Sequence, residues 1–380
     1  MRAKVPQDAA ARAHPDLRQT SGMRTVGVEE ELLLIDPSTA HTVATASEVV
    51  RRAALLGEDL DAELKQEQVE TGTAPQQELL ALLDDVRGRR RVADKAARTV
   101  GARVAALPIS PLDVVSQTTP KGRYLWLAEN FGLTQDEQLA CGCHVHVSID
   151  SPEEGVGVID RARVWLAVLT ALTANSPFWR GQDTGYASFR AQLWGRWPMA
   201  GPIEVLGSVE AYRALLDSML STGVVLDEAM VYLDARLSAR YPTVELRVAD
   251  VCLHADDAVL LAGLARALVH TAAHEWRTGR PAPDVPAAVL RLARWRASRS
   301  GLSDELLDPE THRPRPAGEV VEHLYAHVRP ALAEAGDEAY VRKLLDDVLA
   351  RGTGATRQRQ TYARTGSLRD VVLDVVELTT

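Results

Sequence analysis

Three short segments of the chain alternate apolar residues with acidic, imidazole or basic residues, and a two-residue period is typical of β-strands. The segments are Val28-Glu29-Glu30-Glu31-Leu32, Cys143-His144-Val145-His146-Val147 and Val244-Glu245-Leu246-Arg247-Val248. Because successive strand residues point to opposite faces, each segment is predicted to project a pair of ionisable side chains from one face. The pairs are Glu29 with Glu31, His144 with His146, and Glu245 with Arg247.

The rest of the chain alternates turn signals with helical periodicity. Helices are predicted at 46–56, 76–104, 123–131, 161–174, 210–220 and 256–276. A long loop is predicted at 175–202, and two strands of a hairpin at 230–238 and 243–249. The C-terminal third is predicted to be mainly helical, and the segment from Gly352 to Arg359 is predicted to be flexible. A capping-box pattern of Ser367 and Asp370 predicts the start of the last helix.

Composition indicates a folded protein, since 46% of the residues are hydrophobic and 25% are charged. Residues 23–380 are expected to form a single catalytic domain, and the polar residues 1–22 a disordered extension without the apolar stretch of a signal peptide. The formal charge of -9 disfavours a nucleic-acid partner. Three cysteines form no disulfide framework, which favours the cytoplasm, and no segment is apolar for long enough to span a membrane.

Several carboxylates on one sheet face require protons or cations between them. Two carboxylates about 4 Å apart repel by roughly 4 kcal/mol at an effective dielectric constant near 20. A divalent cation is the simplest explanation. Zinc bound by Cys141, Cys143, His144 and His146 is disfavoured, because on a regular strand the sulfur atoms point away from the imidazoles. Oxygen ligands with one imidazole suit Mg²⁺ or, more readily, Mn²⁺.

Each pair taken alone has an ordinary explanation as a solvated face, as hydrogen-bonded interior histidines, or as a cross-strand ion pair. The conjunction of all three favours a functional site. The chain has no phosphate-binding loop of the Walker type and no dinucleotide-binding glycine motif, so a nucleotide would be held through metals and arginines. The candidate arginines are Arg180, Arg190, Arg196, Arg247, Arg357 and Arg359.

Taken together, the motifs of the chain resemble those of bacterial carboxylate-amine ligases of the glutamate-cysteine ligase type 2 family. The motifs are Gly27-Val-Glu-Glu-Glu-Leu, Glu67-Gln-Val-Glu70, Gly142-Cys-His-Val-His-Val-Ser148, Asn175-Ser-Pro-Phe-Trp, Asp183-Thr-Gly-Tyr-Ala-Ser-Phe-Arg190, Val244-Glu-Leu-Arg247 and Arg357-Gln-Arg359. The resemblance covers roughly Met23 to Leu378. It implies an α+β, glutamine synthetase-like fold, in which helices flank a curved antiparallel sheet that forms half a barrel. It also implies ATP and two or more Mg²⁺ (or Mn²⁺) ions in the mouth of that sheet.

The resemblance also implies roles for individual residues. Glu29, His144 and Glu245 would hold an ion that bridges the nucleotide phosphates, and Glu31, Glu63 and Glu70 an ion nearer the acceptor carboxylate. Arg190 and Arg247 would be catalytic and bind phosphate or the substrate carboxylate. The remaining expected roles are ATP or phosphate binding for His146, Ser148, Arg357 and Arg359, and substrate binding for Arg180, Tyr186 and Arg196. Glu63 lies seven residues before Glu70, so a bulge or turn must separate them if both reach one site.

The implied function is an ATP-dependent carboxylate-amine ligase that forms an amide through an acyl phosphate, most simply between the γ-carboxylate of glutamate and an amine such as cysteine. Two alternatives stay open at this point. A metal-dependent amide hydrolase could use the same Glu and His cluster to activate water. A catalytically silent nucleotide-binding relative could retain the fold alone. The implied partners are small-molecule substrates, with a homodimer expected from the family resemblance.

Overall fold

The computed structural model describes residues 22–380. The extension predicted at 1–22 therefore lies, except for its last residue, outside the described part of the chain. The strands are β1 (Val26–Ile35), β2 (Asp61–Ala62), β3 (Gln68–Gly72), β4 (Arg103–Ala105), β5 (Gly142–Ser148), β6 (Phe178–Trp179), β7 (Gln182–Asp183), β8 (Ala200–Gly201), β9 (Tyr232–Leu233), β10 (Ala235–Leu237), β11 (Thr243–Asp250), β12 (Glu305–Leu307) and β13 (Pro314–Pro316).

The α-helices of the described residues are distributed along the whole chain and dominate its C-terminal third. They are α1 (Ala46–Leu55), α2 (Leu79–Arg98), α3 (Gly122–Phe131), α4 (Leu133–Asp136), α5 (Pro152–Ala162), α6 (Leu166–Leu172), α7 (Arg190–Trp194), α8 (Val209–Ser221), α9 (Ala255–Arg277), α10 (Ala287–Ser300), α11 (Ala317–Glu334), α12 (Glu338–Arg351), α13 (Gly354–Thr365) and α14 (Leu368–Thr379). The last helix begins as the capping box predicts, since the Ser367 hydroxyl accepts a hydrogen bond from the Asp370 amide.

Seven strands form one antiparallel sheet in the order β10-β11-β5-β1-β3-β2, and β4 pairs with the second half of β1. The predicted α+β fold with an antiparallel sheet is thereby confirmed. Three segments that are distant in sequence, β1, β5 and β11, are neighbours in this sheet, so their alternating residues meet on common faces.

The back face of the sheet is covered by helices. Apolar residues of β5 and β11, such as Val145 and Leu246, belong to one large buried cluster together with residues of α5, α6 and α9. The second half of β1 packs in another cluster with α1, α2 and α14. None of the helices within 22–380 combines the length and apolarity that a bilayer crossing requires. The opposite face of β1, β5 and β11 carries the ionisable side chains.

Three sequence-based expectations were wrong in detail. The helix predicted at 76–104 ends at Arg98, because Gly101 adopts a positive φ of 79° and the chain turns into β4. The helix predicted at 161–174 is the end of α5 followed by the separate helix α6. The segment predicted to be flexible after Gly352 is largely helix α13, which packs on the loop at Asn175 through hydrogen bonds from the Gln358 amide.

Candidate active site

Ionisable side chains from four strands meet on the front face of the sheet. The strand register sets Glu29 opposite His144, His146 opposite Glu245, and Glu31 opposite Glu70. The pairing predicted from strand parity is therefore what places these residues together. The cysteines are separated from them, because Cys143 points into the core on the back face, as the argument against a zinc site requires.

Glu29, His144 and Glu245 offer three ligand atoms that lie within 4.8 Å of one another. His144 Nδ1 lies 3.7 Å from a carboxylate oxygen of Glu29 and 3.9 Å from one of Glu245. His146 Nε2 approaches Glu29 from the next position along β5, at 3.3 Å. We call Glu29, His144 and Glu245 the outer triad.

The protonation states of the outer triad suit a cation. Burial alone would raise the pKa of Glu29, but the imidazoles of His144 and His146 outweigh burial and bring this pKa below its usual range. Burial, followed by the charge of Arg247, lowers the pKa of His144 to about 4. At neutral pH the triad therefore presents a charged carboxylate and a neutral imidazole with a free lone pair, which are the forms that metals bind.

Glu31, Glu63 and Glu70 form a second group, the inner trio. A turn at 63–67 separates Glu63 from β3, which removes the parity difficulty noted from the sequence. Burial and the neighbouring Glu63 raise the pKa of Glu31 to about 7, and the same two causes raise the pKa of Glu70 well above its usual range. The hydroxyl of Tyr124 lies 3.5 Å from a Glu63 carboxylate oxygen.

The inner trio offers carboxylate oxygens to a second divalent cation, although within the described residues it is the outer triad whose ligand atoms lie within 4.8 Å of one another. Burial and the neighbouring carboxylates favour the protonated forms of Glu31 and Glu70, and a cation between the carboxylates would replace those protons. Hard oxygen ligands of this kind match Mg²⁺ or Mn²⁺, and the single imidazole of the outer triad is compatible with either ion. The two acidic groups share β1, since Glu29 belongs to one and Glu31 to the other.

Two buried guanidinium groups face the same region. Arg190 is 1% exposed, and within residues 22–380 its Nε and Nη2 atoms have no hydrogen-bond partner. Arg247 donates to Glu245, whereas its Nε atom has no partner in the same part of the chain. The Trp194 ring flanks both groups, with its centroid 5.4 Å from the Arg190 Cζ atom and 5.9 Å from the Arg247 Cζ atom. Buried N–H groups without partners are expected where a ligand is to be bound.

Gly142 makes room for the Arg190 side chain. A β-carbon at position 142 would lie 2.2 Å from Arg190 Nη2 and 3.2 Å from His144 Nε2. Any other residue there would displace the guanidinium group. The backbone N–H of Gly142 also donates a hydrogen bond to Glu31. This glycine therefore lies against an acidic and a basic group of the site, the Glu31 carboxylate and the Arg190 guanidinium group.

Asp250 anchors the loop that carries Arg190, and it is not among the residues predicted from the sequence. The register of β11 against β5 shifts between Leu246 and Ala249, and this bulge turns Asp250 to the front face opposite Gly142. Asp250 accepts hydrogen bonds from the Asn175 amide, the Ser176 hydroxyl and the Ser188 hydroxyl at 2.8–2.9 Å. Its carboxylate lies 4.0 Å from Arg190 Nη1.

Three further residues of the site were also missed, because they come from elements outside the three alternating segments. Arg236 of β10 donates to both carboxylate oxygens of Glu245, at 2.7 and 3.3 Å. The rings of Trp194 and Tyr232 lie 4.9 Å apart and border Arg247. Burial raises the pKa of Tyr232 to about 12, so its hydroxyl stays protonated. Tyr232 and Arg236 stand at the polar positions of the alternating stretch at 231–238, which is the signal that marks them, whereas Trp194 has no such signal.

Other residues predicted for the site have different surroundings. Ser148 lies on the front face beyond His146, and its hydroxyl accepts a hydrogen bond from the Thr25 amide at 3.0 Å. His146 Nδ1 lies 3.1 Å from the Thr243 hydroxyl. Arg180 and Arg196 both bind Glu137 and flank the Trp179 ring.

The two C-terminal arginines lie on helix α13 and form ion pairs of their own. Arg357 binds Asp374 at 2.7 and 2.9 Å, and Arg359 binds Asp183 at 2.7 and 2.8 Å. Arg359 also donates to the backbone carbonyl of Tyr186. The contacts of Arg359 hold the loop at 183–186, and the contact of Arg357 joins α13 to α14.

Comparison with known proteins gives a consistent family match. The sequence model of glutamate-cysteine ligase family 2 matches residues 25–374. A Streptomyces avermitilis protein provisionally named glutamate–cysteine ligase 2-1 is 51% identical over 360 residues, covering 94% of this chain and 99% of that protein. A Streptomyces coelicolor protein provisionally named glutamate–cysteine ligase 2 is 52% identical with the same coverage.

Solved structures share the fold at low sequence identity. A glutamate–cysteine ligase from Francisella tularensis, in complex with AMP, has a TM-score of 0.66 and 13% identity, covering 94% of this chain and 88% of that one. A bifunctional glutathione synthetase from Pasteurella multocida has a TM-score of 0.68 and 15% identity, covering 93% of this chain and 52% of that one.

Proposed function

This chain belongs to glutamate-cysteine ligase family 2, and from that premise we propose that it joins the γ-carboxylate of glutamate to an amine while ATP is converted to ADP and phosphate. The chain is an enzyme, an ATP-dependent carboxylate-amine ligase that forms a carbon–nitrogen bond. Cysteine is the first candidate amine, by analogy with the names of the relatives. The family assignment does not favour the amide hydrolase or the catalytically silent relative.

The observation that carries this proposal is the arrangement of two acidic groups and two arginines on one sheet face. The outer triad and the inner trio each include a residue of β1, Glu29 and Glu31, so two cations would lie side by side along this strand. Arg190 and Arg247 border them and have N–H groups without partners among residues 22–380. Phosphoryl transfer needs positioned cations and guanidinium groups more than a protein nucleophile, and this face supplies both.

The reaction would proceed in two substitutions. An oxygen of the substrate carboxylate bonds to the γ-phosphorus of ATP as the bond to the bridging oxygen breaks, which gives an acyl phosphate and ADP. The amine nitrogen then bonds to the acyl carbon, phosphate leaves, and the amine loses a proton to a base such as a nearby carboxylate. Divalent cations, when bound, neutralise the phosphate oxygens. Arg190 and Arg247 would donate hydrogen bonds to phosphate or carboxylate oxygens.

The same proposal includes the remaining roles and the setting of the enzyme. The outer triad would hold the cation on the nucleotide phosphates, and the inner trio the cation nearer the acceptor carboxylate. Mg²⁺ or Mn²⁺ would serve as the ions, two or more for each chain. We further propose that residues 23–380 act as one catalytic domain in the cytoplasm, and as a homodimer that binds no nucleic acid.

The test is a substrate screen with the purified full-length chain. Glutamate and other carboxylates are paired with cysteine and a panel of other amines in the presence of ATP and Mg²⁺. Phosphate release and product mass are measured for every pair. The proposal expects ADP and phosphate only when both substrates are present, and a product whose mass equals the two substrates less one water.

Two results would overturn the proposal. Amide cleavage without nucleotide would indicate a hydrolase. Absence of calorimetric binding of ATP in the presence of Mg²⁺ would indicate a relative without catalytic function. Turnover with an amine other than cysteine would keep the ligase assignment and correct the substrate.

A further inference from the structure

The site has a direction along its strands. Moving outward along β5, the front-face positions are Gly142, His144, His146 and Ser148. The inner trio and Arg190 lie at the Gly142 end, since the Gly142 amide donates to Glu31 and Gly142 contacts Arg190. The outer triad follows at His144. If phosphoryl transfer takes place between these two groups, as the proposed function holds, the nucleoside must extend toward one of the two ends.

The inner end is closed by apolar packing. Beyond Glu31, β1 continues as Leu32 to Ile35, which are all buried. Leu33 lies in one apolar cluster with Leu139 and Cys141, next to the start of β5. A nucleoside could enter this region only by displacing the core. Of the two ends along the strand direction, the outer end, past His146, is therefore the one that can accept the ribose and the base.

An aromatic ring lies at the outer end. Tyr241, in the turn between β10 and β11, is 45% exposed, and its ring centroid lies 6.2 Å from that of His146 with the two planes at 90°. One strand repeat of two residues, roughly 7 Å, separates His146 from the outer-triad residue His144. The Tyr241 ring therefore lies beyond His146, on the outer side of the cation that the outer triad is proposed to hold.

The turn holds the backbone of Tyr241 in a defined place. The Tyr241 amide donates to the Ser238 hydroxyl at 3.3 Å, and the Tyr241 carbonyl accepts from the Thr243 amide at 2.7 Å. Pro242 follows and restricts the backbone of Tyr241. An aromatic side chain fixed at the exposed end of a phosphate site is suited to stacking against a flat base.

We propose that the Tyr241 ring is the stacking surface for the nucleobase of the nucleoside triphosphate substrate. This proposal rests on the proposed function, because it takes the phosphates to lie at the outer triad. It assigns a binding role to a residue that carries none of the charge of the site. It also explains how a chain without a nucleotide-binding glycine loop could distinguish a nucleotide from inorganic polyphosphate.

The experiment compares two ligands that differ in the base. Binding of ATP and of inorganic tripolyphosphate, each with Mg²⁺, is measured by calorimetry for the wild-type chain, Tyr241→Ala, Tyr241→Phe and the control Tyr362→Ala. Tyr362 is 40% exposed, and its ring packs on Phe178. We expect Tyr241→Ala to weaken ATP binding by roughly 5- to 100-fold, the range of one lost stacking contact, and to leave tripolyphosphate binding unchanged.

The other variants make the result specific. Tyr241→Phe keeps the ring and should retain most of the affinity for ATP, and Tyr362→Ala should bind both ligands as the wild type does. Equal affinities of Tyr241→Ala and wild type for ATP, or an equal loss for both ligands, would overturn the stacking role alone. A wild-type chain that binds neither ligand would overturn the proposed function, and the stacking role with it.

Discussion

Glu30 and the two glutamates that flank it on β1 point to opposite faces of one sheet, and the charges on the two faces have different surroundings. On the back face, Arg90 donates to both carboxylate oxygens of Glu30 at 2.8 and 2.6 Å. The same guanidinium group donates to the carbonyls of Cys252 and Leu253 at 2.6 and 2.9 Å. This buried ion pair is completed within the chain.

The front face has buried charge whose partners are incomplete. Arg190 and Arg247 retain N–H groups without partners in the described residues, and His144 retains an unpartnered Nε2 atom. Glu31 has a pKa raised to about 7 by burial and by Glu63. Buried polar groups in folded proteins are nearly always satisfied, so several unpartnered groups gathered on one face favour a ligand there. On the proposed function, the comparison separates charge that holds the fold from charge that would bind substrate and metal.

The largest expected effect is the loss of an outer-triad carboxylate. Glu245→Ala or Glu29→Ala should lower kcat/KM on the order of 10⁴-fold, because each removes an oxygen ligand from the proposed nucleotide cation. Thermal stability should change little for Glu29→Ala, because the Glu29 side chain is 32% exposed. Glu245→Ala also removes the carboxylate partner of Arg236 and Arg247 and should lower the melting temperature. Steady-state kinetics and a thermal melt measure the two effects. Glu334→Ala, at an exposed glutamate that pairs with His270, is the control. Wild-type kinetics in either triad variant would refute the metal assignment.

The back face should respond in the opposite way. Arg90→Met leaves the Glu30 carboxylate buried without a partner and should lower the free energy of unfolding by roughly 3 to 5 kcal/mol. Activity per folded molecule should stay near the wild-type value. Chemical denaturation and an active-site-normalised assay test both points. Adding Glu30→Leu removes the stranded charge and should restore part of the stability. A stable Arg90→Met variant with lost activity would show that the two faces are not separable in this way.

The sequence predicts the front face well because strand parity is a local property. Glu29, His144 and Glu245 each stand at the correct parity in an alternating segment, and antiparallel pairing of those segments brings them together. Parity fails at Asp250, since the register shift after Leu246 moves it to the front face. A bulge depends on the neighbouring strand, and single-sequence periodicity contains no information about it.

The segment after Gly352 shows a second limit. Its glycines and polar residues predict flexibility, yet helix α13 forms there because tertiary contacts favour it. Gln358 donates to the backbone carbonyl and the side-chain oxygen of Asn175, at 2.6 and 2.8 Å. Those contacts join residues 183 positions apart and are invisible in local composition. The same reason explains why Trp194 was not assigned to the site.

A smaller effect is expected when the shape of the front face changes and its charges do not. Gly142→Ala places a methyl group on Arg190 Nη2 and should lower kcat/KM by roughly 100-fold, because a displacement of about 1 Å in a positioning group can cost that much. Every ionisable residue is retained. The control is Gly122→Ala at the start of α3, where an added β-carbon meets nothing within 4 Å. If Gly142→Ala turned over at the wild-type rate, Arg190 would not need its observed position.

The smallest effect concerns pH and the inner trio. The folded-state pKa of Glu31 is about 7, above its ordinary value, so this residue contributes stability that is fully present at low pH and is lost as pH rises through about 7. The ion-free chain should therefore lose the contribution of this group as pH rises from 4.5, its ordinary pKa, to about 7, and should be less stable at about pH 8 than at about pH 5.5. A cation replaces the proton, so stabilisation by Mg²⁺ should grow over the same interval.

Thermal melts at both pH values, with and without Mg²⁺, measure this difference. At a concentration about 100 times its dissociation constant, Mg²⁺ should stabilise the chain by about 2.7 kcal/mol. At one fixed Mg²⁺ concentration, this stabilisation should be larger at about pH 8 than at about pH 5.5. Glu31→Gln should remove the part of the Mg²⁺ effect that depends on pH and leave the binding at the outer triad, whose Glu29 and Glu245 have lowered pKa values. Equal stabilisation of the wild-type chain by Mg²⁺ at both pH values would mean that Glu31 does not exchange a proton for a cation. The front face would then hold its ion at the outer triad. Groups of the substrate, in place of a cation, would have to contact the carboxylates of the inner trio.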